Sequence, residues 1–152
     1  MSIINSLGNN FEHLSEILDK FEGEFENITL DLKMKGKALD QLLIEQASLV
    51  GYYELRAVEL KTLRKVIETR VEKVRGRLWK HFTENHPREL NYRDKENYVN
   101  NEDALVELKE LFLEVSELEE KYRAACEALK QKGFMLNALV KARVASLDNL
   151  FL

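Results

Sequence analysis

The sequence predicts a mainly α protein, a helical bundle core with a long C-terminal helix that oligomerises. Three observations predict it. Apolar residues recur three and four positions apart through most of the 152 residues, the period of a helix with one buried face. Only 6 Gly and 1 Pro punctuate the chain, too few for the turns of an all-β fold. The AVILMFWYC set makes up 45% and charged residues 33%, which is neither disordered nor membranous composition. One domain spanning 1–152 fits this length, divided into a lead-in (1–10), a helical body with a basic stripe (11–101) and an oligomerisation helix with an apolar tail (102–152).

The lead-in is polar, and Asn9 and Asn10 are suited to cap a helix. Phe11, Leu14, Ile17, Leu18, Phe21 and Phe25 then mark an amphipathic helix whose outer face carries Glu12, Glu16, Asp19, Glu22 and Glu26. Between 28 and 35, Ile28, Leu30, Leu32 and Met34 alternate with polar residues. Alternation signals a strand, while Leu and Met suit a helix, so the segment reads as minor β, irregular or continuing helix. From Lys37 to Phe82 the helical pattern predicts one long helix, or two joined near Gly51. His86-Pro87 stops it, because the residue before a proline avoids the αR region. Residues 88–100 read as an irregular or minor β connection, with Tyr92 and Tyr98 placed to pin it to the body, and Asn101 or Asp103 caps the next helix. That last helix has near coiled-coil spacing from Leu105 to Val144, interrupted only by Gly133. Its apolar end, with Leu129, Phe134, Leu136, Leu139, Val140, Val144, Leu147, Leu150 and Phe151, predicts burial against other copies of the chain.

Signs of enzymatic chemistry are poor. None of the glycines forms GxGxxG or a phosphate-binding loop. His81 and His86 are five apart, not at zinc-ligand spacing, and the single Cys126 sits among alanines as a small hydrophobe suited to a helix interface. The expectation is a protein without enzymatic activity, cofactor or metal. No run reaches the 18 or so apolar residues of a membrane span, and no secretory signal is visible at the N-terminus, so a cytoplasmic location is expected.

Charge is distributed unevenly. The formal net charge is -4, yet Arg56 to Arg93 holds eleven bases against five acids, a net of +6. Residues 102–120 hold eight acids against Lys109, a net of -7. On a helix Arg70, Lys73, Arg77 and Lys80 share one stripe, with Arg75 and Trp79 nearby in sequence. Cations for phosphates beside an aromatic for base stacking are what a sequence-tolerant single-strand binder needs. The competing reading is a solvated face, or one consumed by the acidic stretch 102–120 of the same or another chain.

Val74-Arg75-Gly76-Arg77-Leu78, followed by Trp79 and Phe82, resembles the Leu-Lys-Ala-Arg-Leu element and following aromatics of the UvsY recombination mediators of T-even-like myophages. Tyr92-Arg93-Asp94-Lys95 is similar to the Arg-Asp-Lys common in that family, and Lys132-Gly133-Phe134 to its Arg-Gly-Phe or Arg-Gly-Tyr. The resemblance covers roughly residues 35–146; Gly76 stands where Ala is usual, and the regions outside have no counterpart. It implies a ring-like homo-oligomer, hexamer or heptamer, that binds single-stranded DNA and helps load a phage recombinase onto DNA covered by single-strand-binding protein, in the host cytoplasm. In this sequence the basic stretch then places Arg70, Lys73, Arg75, Arg77 and Lys80 on phosphates and Trp79 as a stacking residue. A helical oligomeric scaffold or adaptor that binds only protein is the alternative.

Overall fold

The structure, a computed structural model, describes residues 13–149. It is 87% helical, and the described residues contain no strand. Among the described residues five helices follow one another: α1 (Leu14–Phe25), α2 (Ile28–Leu32), α3 (Leu39–Glu84), α4 (Tyr92–Asn100) and α5 (Asp103–Asn149). The mainly α fold and its long C-terminal helix are as the periodicity predicts. The lead-in 1–10, Phe11, Glu12, Leu150, Phe151 and Leu152 lie outside the described residues.

The segment left open between strand, irregular chain and helix is helical, and the one expected to be irregular or minor β is helical as well. Residues 28–32 form one helical turn rather than a strand, with Asn27 O accepting from both Leu30 N and Asp31 N. A strand needs a partner to receive its backbone groups, whereas a helical turn satisfies them locally. The turn ends at Leu32, and in the connection to α3 Gly36 has a φ of 86°, where glycine carries no Cβ penalty. The connection before α5 holds the nine-residue helix α4, started by Asn91, whose side chain accepts from Asp94 N at 2.8 Å. Asn101 closes α4, and the first turn of α5 hangs from Glu102 O, so neither Asn101 nor Asp103 is the cap of that helix. Gly51 does not divide α3, which runs unbroken for 46 residues.

The contacts group into two compact units, and each long helix contributes to both. In the unit spanning 59–118, Leu60, Leu63 and Ile67 of α3 are fully buried, as are Val99 of α4 and Leu105 and Val115 of α5. In the unit formed by 14–58 and 119–149, Leu14, Leu18 and Phe21 of α1 are buried, with Leu42 and Tyr53 of α3 and Tyr122, Cys126, Leu129 and Leu136 of α5. Here α3 and α5 run antiparallel, since Gln46 meets Leu129 while Tyr53 meets Tyr122.

Several polar groups in this second unit are satisfied by long reaches. Tyr122 Oη donates to Phe21 O at 2.6 Å, and Tyr53 Oη donates to Asp31 Oδ2 at 2.8 Å. Burial, and then the Asp31 carboxylate, push the Tyr53 phenol far above its ordinary range. Lys132, only 3% exposed, donates from Nζ to Asp31 O at 2.6 Å, and its desolvation pulls the ammonium below the usual lysine range. Arg56 lies 2.9 Å from Glu24 Oε2 through Nε and covers the rings of Phe21 and Tyr52. Gly133 also finds its reason here. A Cβ built on it would lie 3.1 Å from Gln46 Nε2, which donates to Leu129 O at 2.6 Å.

Candidate nucleic-acid interface

The basic stripe lies on the C-terminal half of α3, within the unit spanning 59–118. Leu60, Leu63 and Ile67 turn one side of the helix into the core. The helical repeat then carries Arg70, Lys73, Arg77 and Lys80 along one row beside that core side. Lys73, Arg77 and Lys80 are exposed and hold no ion pair among the described residues. Arg70 is half-buried.

Arg75 does not belong to this row. It lies across the core side from it, where its Nη2 is 3.7 Å from Glu96 Oε1 of α4. Its spacing from Arg70 and Arg77, five and two residues, is not a same-face spacing, so sequence proximity overstated the cluster. Trp79 also faces α4. Its ring is 5.2 Å from that of Tyr92, tilted by 56°, and half-buried rather than freely presented. One turn on, Phe82 stacks on Tyr98 at 5.4 Å, and His86 approaches the same tyrosine at 5.6 Å. The expectation that Tyr92 and Tyr98 pin this segment to the body is met. Tyr92 remains 69% exposed, so the Trp79–Tyr92 pair presents an open ring to solvent.

Between the Lys73–Lys80 edge of the row and Trp79 lie Gly76 and Thr83, both small and exposed. Nothing comes within 4 Å of a Cβ built at Gly76. The route from cations to ring is therefore low, although Glu72 borders it one turn earlier. The sequence reading missed Tyr92 as an extension of the Trp79 surface. The signal was a tyrosine at the first position of a helix that the polar composition of 92–100 concealed.

Among the described residues the expected oligomerisation positions divide into three groups. Leu129 and Leu136 are buried within the chain itself and serve its own core. Leu139, Val144 and Leu147 are exposed, and with half-buried Val140 they continue the core-side stripe of α5 beyond Leu136. Phe134 is 67% exposed on another side of the helix. Cys126 is a buried free thiol pushed above its ordinary range by burial and then by Glu54. Among the described residues no cluster of His, Cys, Asp or Glu could hold a metal ion, and no helix is long and apolar enough to cross a membrane. Comparison with protein families, with curated proteins and with solved structures finds no match to this chain.

Proposed function

We propose that the chain is a recombination mediator. It binds single-stranded DNA as a ring-like homo-oligomer and assists the loading of a phage recombinase onto DNA covered by single-strand-binding protein. The observation that carries the DNA part is the exposed row Lys73, Arg77 and Lys80, continued by Arg70 and separated by Gly76 from the open face of Tyr92 and Trp79. Cations on one line neutralise successive phosphates, and a neighbouring ring stacks on a base of any identity. Copies arranged in a ring multiply a modest site into a continuous track, so affinity comes from multivalency. The recombinase, the single-strand-binding protein and the hexamer or heptamer size come from the family resemblance of the Val74–Leu78 element and the two later motifs.

The test is a fluorescence-anisotropy titration of a single-stranded oligonucleotide at several salt concentrations. Binding is expected to be tolerant of sequence, with log affinity falling as log salt rises, by about 0.7 per phosphate contacted. Joint replacement of Lys73, Arg77 and Lys80 by Ala should weaken binding and flatten that slope. An unchanged affinity and slope refute the site. Absence of binding by the wild type, with assembly retained, favours the protein-only scaffold, in which a neighbour's exposed Glu107, Glu110 and Glu114 would cover the row.

A further inference from the structure

The unit formed by 14–58 and 119–149 carries two helix faces that its own core does not use. On α3, Ile44, Ser48, Gly51 and Leu55 follow one another at intervals of four, three and four, on the side away from Leu42 and Tyr53. Ile44 is 77% exposed and Leu55 67%. On α5, Ala128, Gln131, Met135, Ala138, Ala142 and Ala145 follow at three, four, three, four and three, on the side away from Leu129 and Leu136. Met135 is exposed and Ala128 half-buried. Alternating intervals of three and four keep a seam turned toward a second helix over several turns.

The two faces are complementary in relief. The α3 face is bulky at its ends and hollow in the middle, where the small residues Ser48 and Gly51 lie between Ile44 and Leu55, about 16 Å apart along the axis. The α5 face is bulky in the middle, with Met135 between Ala128 and Ala142, each about 10 Å away. Gly51 supports a close neighbour. A Cβ there would meet nothing within 4 Å, and alanine would favour the helix by about 1 kcal/mol, so the chain's own packing gives no reason for glycine.

Charge agrees with relief. Asp40, Glu45 and Glu54 border the α3 face, with Lys37 the base among them, 3.4 Å from Glu45, whereas Arg123, Lys130 and Lys141 line one edge of the α5 face, with Glu127 the acid among them, 3.3 Å from Lys130. The chain already makes one such pair internally, Lys130 to Glu54 at 3.6 Å. Two α3 faces brought together would set bulk on bulk and acid on acid, and two α5 faces would set base on base.

The geometry points to a head-to-tail contact in which the α3 face of one copy, Ile44 to Leu55, seats on the α5 face of the next, Ala128 to Ala145. Because the two faces differ, the contact propagates into a ring or an open filament rather than closing as a dimer. This inference rests on the reading that the chain self-associates and is independent of DNA binding.

Sedimentation velocity on the full chain tests it, with Leu55→Glu and Met135→Glu. Both positions are exposed, so helicity by circular dichroism should match the wild type. The wild type should sediment as an oligomer, each variant alone as a monomer, and an equimolar mixture as a dimer that grows no further, since only one intact pair of faces remains. A monomeric wild type overturns the assembly reading and this inference with it. An oligomeric wild type overturns the inference alone if either variant still assembles by itself or if the folded mixture stays monomeric. Should either substitution lower helicity, Ile44→Glu with Ala142→Glu provides the same readings.

Discussion

Replacing Gly133 with alanine should destabilise the protein, although alanine is the better helix former. Gly133 lies in the interior of α5, where the exchange alone favours the helix by about 1 kcal/mol. Against this stands Gln46. Its Nε2 would be 3.1 Å from the new methyl group while donating to Leu129 O at 2.6 Å, and its Oε1 is already buried without a partner. Displacing that amide forfeits a net hydrogen bond of about 1 kcal/mol and leaves a part-buried donor unsatisfied, at a further cost of roughly 1–3 kcal/mol. The net for Gly133→Ala is a loss of about 1–3 kcal/mol. In a Gln46→Ala background the clash and the bond are both absent, so the same exchange should stabilise by about 1 kcal/mol. The double-mutant cycle thus predicts a coupling of about 2–4 kcal/mol, well above that of independent sites. Urea denaturation followed by circular dichroism, with all four proteins at one concentration because self-association adds to apparent stability, measures it. Gly133→Ala stabilising equally in both backgrounds would refute the account of why this helix tolerates a glycine.

Gly76→Ala, by contrast, meets nothing within 4 Å and should stabilise the fold by about 1 kcal/mol in the same assay. Arg75→Ala should leave the salt slope of single-strand binding nearly unchanged, because Glu96 already neutralises that guanidinium, whereas Arg77→Ala should reduce the slope by about 0.7; equal effects would return Arg75 to the site. Tyr53 has its folded phenol raised, so its contribution to stability is complete below the unfolded value near 10 and is lost as pH climbs above it. Absorbance at about 295 nm, which reports phenolate, should therefore show its ionisation only with loss of helicity, and Tyr53→Phe should remove that late component. Cys126, buried and with a raised thiol, should react with a thiol reagent such as DTNB only at the rate of unfolding; immediate labelling of the folded protein would contradict its burial.

Where the sequence was legible, one period dominated. Leu60, Leu63 and Ile67 on α3 and Leu118, Tyr122, Leu129 and Leu136 on α5 are buried at the expected spacings, and His86-Pro87 stands just after the end of α3. Legibility failed where local pattern and partner disagree. Ile28, Leu30 and Leu32 alternate as in a strand, yet no second strand exists among the described residues to pair with them. The segment 92–100 buries only Val99, so α4 has no apolar stripe to read. In the proposed DNA site, Lys73, Arg77 and Lys80 are legible from spacing alone. The removal of Arg75 and the addition of Tyr92 depended on α4, whose packing no periodicity shows. The outward seams escaped notice because alanine, serine and glycine carry little hydropathy, although at a helix crossing they decide how near a neighbour can come.

Two of the long reaches described above act together. Tyr122 bonds to Phe21 O and Lys132 to Asp31 O, so residues ten apart on α5 grip carbonyls ten apart on the N-terminal arm. Apolar contact alone is indifferent to sliding, since a leucine displaced by one turn meets another leucine. A hydrogen bond is not, because displacement by about 5.4 Å breaks both bonds and leaves a buried phenol and a buried ammonium without these partners. The arm is thereby indexed to α5 like a vernier against its scale, two marks coinciding at one setting. Loss of either mark loosens that setting against α5, while the Arg56–Glu24 pair and the Tyr53–Asp31 bond still tie the arm to α3.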